Sequence, residues 1–223
     1  IMRIIISGFG KMGKKIKAVA QTRGHSIINI SNSKNPLTNL DITNCDVVID
    51  FSTPSTALDN ISYSLINDIP IVSGTTSWLS NIDKVKNLCL EKNGAFLYSA
   101  NFSLGMNIFF EINKQIAEIM KSYKYKCEVN EVHHKQKIDS PSGTALVLKE
   151  DIQKIYGQNI NVNSKRLDKT VGIHNIKYES DIDEIIVSHN SKNRDGFALG
   201  AILAAEWIVG KTGFFTMKDV LNF

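Results

Sequence analysis

Arg3-Ile4-Ile5-Ile6-Ser7-Gly8-Phe9-Gly10-Lys11-Met12-Gly13 carries a short apolar run straight into three spaced glycines. Three isoleucines in succession, with no polar alternation, suit a parallel strand covered on both faces. Beyond the glycines, residues 14–21 place Ile16, Val19 and Ala20 at helical spacing. Gly8-x-Gly10-x-x-Gly13 between a strand and a helix is the setting in which a tight turn brings backbone amides against a pyrophosphate at the helix N-terminus. Gly8, Phe9, Gly10, Lys11, Met12 and Gly13 are therefore read as a dinucleotide-binding loop. In the usual pattern an acidic residue about 20 positions further on takes the adenosine ribose. Here the second strand, expected over 25–30, leads into Ser31-Asn32-Ser33-Lys34. No carboxylate stands there to repel a 2′-phosphate and Lys34 is near, so the expected cofactor is NADPH and/or NADH.

Outward from this turn the alternation continues. Strands are expected over 46–51, 71–73 and 95–98, with helices over 55–66 and 82–92 between them. Such alternation indicates a doubly wound parallel sheet. Ligands of these sheets bind beyond the carboxyl ends of the strands. That adds Gly74, Thr75 and Thr76, then Ser99, Ala100, Asn101 and Phe102, as candidate edges of the cofactor pocket. The rhythm then breaks. Residues 104–123 read as a long amphipathic helix with Leu104, Ile108, Ile112, Ile116, Ile119 and Tyr123 on one stripe. A strand over 127–134, a helix over 143–156, strands over 174–178 and 184–189, and a small-residue helix over 196–209 follow. The expected fold is α/β: a Rossmann-type doubly wound parallel sheet, interrupted by an α+β mixed-sheet domain.

Composition narrows the function. A chain of 223 residues with 43% hydrophobic and 22% charged residues is an ordinary globular protein rather than a disordered one. Its apolar runs are far shorter than the ~20 residues of a membrane helix, so no membrane partner is expected. The net charge of +4 comes without dense Lys/Arg clusters, which argues against nucleic acid and suits a small anionic ligand. No basic-then-apolar leader precedes the first strand, and a cytoplasmic location is the expectation. Cys45, Cys89 and Cys127 are scattered, supporting neither a disulfide framework nor a zinc site.

The densest chemistry is Glu131-Val132-His133-His134-Lys135-Gln136-Lys137-Ile138-Asp139-Ser140-Pro141-Ser142-Gly143-Thr144. Neighbouring histidines on a regular strand face opposite sides. Joint chelation is then awkward, no third ligand stands at a standard spacing, and no metal is expected. Acid–base work suits imidazole better, because it titrates near neutrality. Pro141 keeps the chain out of helix just ahead of Ser142-Gly143-Thr144. Free amides at that helix start, joined by a lysine ammonium, would make a carboxylate-binding corner. The plain alternative is a basic, solvated loop. His25 and His174 have no chemical company in the sequence and are read as surface or strand residues, while Trp78 and Trp207 are read as packing residues. His189 and Arg194, ahead of the last long helix, suit either an anionic ligand or an exposed polar loop.

The chain resembles the dihydrodipicolinate reductase (4-hydroxy-tetrahydrodipicolinate reductase) family. The resemblance is carried by the glycine loop, Ile49-Asp50-Phe51-Ser52, Gly74-Thr75-Thr76, Ala100-Asn101-Phe102-Ser103-Leu104-Gly105, the run from Glu131 to Ala145, and the tail from Arg194 to Leu221. It implies NAD(P)H-dependent reduction of a small dicarboxylate, 4-hydroxy-tetrahydrodipicolinate, with loss of water, in diaminopimelate and lysine biosynthesis. His133 matches the family's general acid/base and Lys137 its proton donor. His134, Gly143 and Thr144 match substrate-binding positions. The resemblance also implies a dinucleotide-binding domain over 1–102, a substrate-binding and tetramerisation domain over 103–194 that builds a homotetramer, and a C-terminal segment over 195–223 returning to the first domain. Hinges near 102–103 and 194–196 would let the domains close.

Two other readings compete. A related small Rossmann reductase, acting on another amino or imino acid, would keep the glycine loop without needing His133, His134, Lys137, Gly143 and Thr144 together. A non-catalytic dinucleotide sensor would have no use for that set at all.

Overall fold

The computed structural model describes residues 1–168 and 170–222. They form two compact units: Ile1–Leu104 together with the segment from Arg194 onward, and Gly105–Asn193. The first unit begins with β1 (Arg3–Ser7), α1 (Lys11–Thr22), β2 (Ser26–Ser31), β3 (Val47–Asp50), α2 (Pro54–Ile66), β4 (Ile71–Ser73), α3 (Ile82–Glu91) and β5 (Ala95–Tyr98). α4 (Leu104–Ser122), β6 (Lys126–His133), α5 (Gly143–Tyr156), β7 (Asn161–Arg166), β8 (Gly172–Glu179) and β9 (Glu184–Ser191) follow. The chain then returns to the first unit with α6 (Asp195–Ile208), β10 (Gly213–Phe215) and α7 (Met217–Leu221).

The first sheet runs β10-β5-β4-β3-β1-β2, with every pairing parallel. Successive side chains of a strand point to opposite faces, so a strand buried on both sides must be apolar at every position. Ile4 and Ile6 of β1 accordingly share one core with Val47, Ile49, Val72 and Leu97, against Ile16 and Ala20 of α1 and the alanines of α6. Ile5 points the other way, with Val48, Ile71 and Phe96, against Ala57, Ile61 and Leu65 of α2 and Val85 and Cys89 of α3. The small residues of α6 have a steric reason. A Cβ on Gly200 would stand 1.8 Å from the carbonyl oxygen of Phe102, so the helix backbone lies directly on that strand exit. Trp78 is buried in the second core, and Trp207 packs edge-on against Phe215.

In the second unit β7 pairs parallel to β6, while β8 and β9 add antiparallel, giving the mixed sheet β7-β6-β8-β9. α4 and α5 contribute Met106, Phe109, Ala117, Ala145, Leu148 and Ile152 to a core with Val129, Ile176 and Tyr178 of the sheet. The expected stripe of α4 is not its buried face. Ile108, Ile112, Ile119 and Tyr123 are exposed, and Met106, Phe109, Asn113 and Ala117 turn inward. α4 is apolar on more than one side; the buried side packs Met106, Phe109 and Ala117 into the core, and includes Asn113, whose Oδ1 accepts a 2.9 Å hydrogen bond from Tyr178 Oη of β8. A polar residue that finds a buried partner defeats an argument from periodicity alone.

β7, β10 and α7 go beyond the sequence reading. β7 is a polar run, Asn161-Val162-Asn163-Ser164-Lys165-Arg166, and β10 and α7 span only 3 and 5 residues, too short to leave a periodic signal. Among the described residues no helix is long and apolar enough to cross a membrane.

Candidate active site

In the first unit the glycine turn is built by close approach. Gly8 has φ +90°, and a Cβ there would stand 2.2 Å from the carbonyl oxygen of Phe51; a Cβ on Gly13 would stand 2.1 Å from that of Gly8. Gly10 differs: a Cβ there meets nothing within 4 Å. Gly10 is also the N-cap of α1, with no side-chain cap and no acidic residue in the first turn. The helix N-terminus thus faces open space with no protein carboxylate of its own, as an anion site requires. A cleft of about 390 Å³ lies there, lined by Gly10, Lys11, Met12, Phe51, Ser52, Pro54, Gly74, Thr75 and Thr76.

One wall of this cleft hangs on Asp50. Its carboxylate is fully buried and accepts hydrogen bonds from Asn60 Nδ2 (3.0 Å), Ser73 Oγ (2.9 Å) and Thr75 Oγ1 (2.7 Å). Burial pushes the Asp50 carboxyl up, against these donors. Thr75 Oγ1 in turn accepts from the Ser52 amide at 2.9 Å, tying both strand exits together. Gly8 and Gly13 lie beneath the turn and Phe9 is half-buried beside it. Lys34 is exposed, in a tight turn whose Asn32 and Asn35 backbones bond each other. Ser99 and Asn101 bond within their own loop, Ala100 is exposed, and the Phe102 side chain is buried in the core against Phe51.

In the second unit strand register assembles the polar cluster. The period of two puts Val129, Glu131 and His133 of β6 on the covered face, and does the same for Gly172, His174, Ile176 and Tyr178 of β8. Glu131 stands opposite His174 on β8 and Ser164 on β7, and His133 stands opposite Arg166. Glu131 is 1% exposed. Its Oε1 accepts from the Ser142 amide (3.0 Å) and Ser164 Oγ (2.8 Å), with Arg166 Nη1 at 3.6 Å. Its Oε2 lies 3.4 Å from His133 Nδ1 and 3.7 Å from His174 Nε2. Burial alone would raise the Glu131 carboxyl, but the Ser142 and Ser164 hydrogen bonds outweigh it and hold the group below its ordinary range. His133 is shifted down, first by burial and then by the charges of Lys137 and Arg166, with Glu131 opposing. Space for its ring depends on Gly172, where a Cβ would come within 3.1 Å of His133 Nε2.

Beside this cluster the chain turns into α5. Ser142 Oγ caps the helix by accepting the Ala145 amide at 3.1 Å, and a Cβ on Gly143 would meet nothing within 4 Å. Lys137 Nζ donates to Asp139 Oδ1 at 2.7 Å, and Arg166 Nη2 donates to the Asp139 carbonyl at 2.6 Å. The Lys137 ammonium, with a smaller part from the Gly143 amide, holds the Asp139 carboxyl below its ordinary range. A carboxylate of the chain is thus already stabilised by the ammonium and helix start proposed from sequence as a carboxylate corner. Thr144 follows Gly143 and is half-buried, as is His134, which follows the last residue of β6.

Of the sequence candidates in this unit, His133, Lys137, Gly143 and Thr144 therefore fall in one region, joined by Ser142, Arg166, Glu131 and His174. Glu131 could have been found from its place two residues before His133 on the same strand face. His174 could not, because only the β6–β8 register brings it in; it is neither a surface residue nor without company. His25 also has a partner, Glu206 at 2.7 Å. His189 packs against Phe109. Glu131, His133 and His174 offer ligand atoms within 4.8 Å of one another, a group that could hold a metal ion and that linear spacing does not reveal.

Comparison with known proteins splits the chain near residue 104, where the first unit gives way to the second, and the later match runs on through the segment that returns to the first unit. The description "Dihydrodipicolinate reductase, N-terminus" matches residues 2–102, and "Dihydrodipicolinate reductase, C-terminus" matches residues 105–221. The chain belongs to the dihydrodipicolinate reductase family. A 4-hydroxy-tetrahydrodipicolinate reductase of Christiangramia forsetii is 42% identical over 99% of this chain and 98% of its own. One from Alkaliphilus metalliredigens is 36% identical, covering 99% of each. Among solved structures, dipicolinate-bound dihydrodipicolinate reductase from Paenisporosarcina sp. TG-14 has a TM-score of 0.84 over 97% of each chain at 20% identity, a likeness of fold.

The buried histidines of this reductase-family fold give a pH signature. Burial first, and the neighbouring His133 next, push His174 down to about 4 from an ordinary 6.5. A histidine kept neutral by the fold contributes stability that is complete above the unfolded value and lost as pH falls toward the folded one. At roughly 1.4 kcal/mol per unit the loss between pH 6.5 and 4 is on the order of 3 kcal/mol. Denaturant midpoints measured across that window should fall for the unaltered protein and fall less for His174→Gln; parallel slopes would contradict this assignment.

Proposed function

We propose that this chain is a 4-hydroxy-tetrahydrodipicolinate reductase, reducing its cyclic dicarboxylate substrate with NADPH or NADH and loss of water, in diaminopimelate and lysine biosynthesis. The observation that carries the reading is the Glu131–His133 pair standing beside a corner where Lys137 and the Gly143 amide already stabilise a carboxylate, in a chain of this family.

The cofactor loop fits its group. Gly10 leaves the α1 N-terminus open, and Gly8, Phe9, Lys11, Met12 and Gly13 shape the turn for a pyrophosphate. Gly74, Thr75 and Thr76, and the loop from Ser99 to Phe102, would frame the rest. Lys34, on a turn without carboxylates, favours a 2′-phosphate and so NADPH over NADH. When bound, the nicotinamide supplies the hydride.

The chain's own residues hold the substrate and move the proton. Lys137, His134 and the amides of Gly143 and Thr144 bind the carboxylates, which replace Asp139 on the ammonium. The substrate's negative charge near His133 favours the imidazolium, raising a group that burial otherwise keeps neutral. Glu131 steadies that imidazolium through Nδ1, and His133 is the acid/base, with Lys137 a second proton donor.

The test is an initial-rate assay following NADPH, then NADH, at 340 nm, with substrate generated in place from pyruvate and aspartate semialdehyde by a purified synthase. Synthase-dependent oxidation is expected, faster with NADPH. His133→Gln should lose roughly 10²–10⁴-fold in turnover with cofactor affinity unchanged. Absence of oxidation by folded, cofactor-binding protein would point instead to another imine substrate.

Assembly as a homotetramer belongs to the same reading. The face of the mixed sheet away from α4 and α5 carries Val132, Ile173 and Ile186, none of them in the core of the unit. Sedimentation at about four times the 24.8 kDa chain mass is expected, and a monomer at assay concentration would refute it.

A further inference from the structure

His174 is buried, yet the sequence gives it no role and the proton-transfer scheme above does not use it. Its surroundings are specific. The ring meets that of His133 edge-on at 5.1 Å between centroids. Its Nε2 lies 3.3 Å from Ser142 Oγ and 3.7 Å from Glu131 Oε2. Ser142 is the residue that starts α5, and its amide donates to Glu131 Oε1. One imidazole therefore touches the acid/base histidine, the carboxylate that steadies it, and the cap of the helix whose amides form the carboxylate corner.

We infer that His174 is a positioning residue which, as the neutral Nε2–H tautomer, donates to Ser142 Oγ and so holds the carboxylate corner in register with the Glu131–His133 pair. Hydrogen-bond capacity supports that tautomer. Ser142 Oγ accepts the Ala145 amide and retains a lone pair for a second donor. A bare Nε2 could take the Ser142 hydroxyl proton, but it would also face the ionised, acceptor-only Glu131 Oε2 and would put the ring proton on Nδ1, which is buried with no hydrogen-bond partner. An uncharged ring in this place spares His133 a second buried cation at its edge when the substrate's carboxylates make it imidazolium.

The inference rests on the proposed function for its kinetic arm, and a second readout stands apart from activity. In nitrogen-15 spectra of the unaltered protein at pH 7, His174 should show the Nε2–H tautomer; the Nδ1–H tautomer or an imidazolium would overturn the assignment whether or not the protein is a reductase. His174→Gln can still place an amide N–H near Ser142 Oγ, and His174→Leu cannot. Loss of one buried hydrogen bond is worth about tenfold. His174→Leu should therefore bind pyridine-2,6-dicarboxylate about tenfold more weakly by calorimetry and raise the substrate KM similarly. His174→Gln should stay within about twofold, with NADPH affinity unchanged in both. Equal behaviour of the two variants would reduce His174 to a space-filling residue and overturn the proposal. So would a divalent metal ion retained stoichiometrically by the unaltered protein and lost from His174→Leu.

Discussion

A carboxylate taken out of water needs several hydrogen-bond donors, and an unpaired one is costly enough to be protonated instead. Each unit of this protein is organised around one such group near the carboxyl end of a strand. In the first, Asp50 gathers Asn60, Ser73 and Thr75, and through Thr75 the Ser52 amide, which fixes the loops edging the nucleotide cleft. In the second, Glu131 gathers the Ser142 amide and Ser164, with Arg166, His133 and His174 around it. Satisfying Glu131 dictates where α5 begins, and hence where the amides of Gly143 and Thr144 point.

The two centres divide the work. Asp50 touches neither cofactor nor substrate in the proposed scheme; it holds backbone in place for a pyrophosphate that the α1 N-terminus attracts. Glu131 has a more direct electrostatic effect, since it opposes the burial and the cations that keep His133 neutral. In the proposed scheme the group is thereby poised to gain a proton when a dianion arrives, and a modest net charge of +4 would suffice because Lys137 and Arg166 stand together at the corner.

The parallel sheet was legible because its central strands are short apolar blocks, Ile4-Ile5-Ile6 before Ser7-Gly8, Val47-Val48-Ile49 before Asp50, and Ile71-Val72 before Ser73-Gly74. The mixed sheet was less so. β7 is polar, and the buried face of α4 carries Met106, Phe109, Ala117 and the hydrogen-bonded Asn113 instead of the more obvious isoleucine stripe. For the site, residues close in sequence were readable: the glycine loop, His133 with Lys137, and Gly143 with Thr144. His174 and Arg166 were not, because they reach His133 and Glu131 only through strand pairing, and pairing leaves no mark in a local pattern.

The most direct test of this account is the effect of Glu131→Gln on turnover and on cofactor affinity, measured together. Glutamine keeps the shape and an oxygen acceptor for the Ser142 amide, but removes the charge beside His133. The account predicts a folded protein with unchanged NADPH affinity and turnover lowered by about 100-fold, the scale of a misplaced or unsupported acid. Turnover equal to that of the unaltered protein would contradict it, and would show that the buried carboxylate only holds the fold.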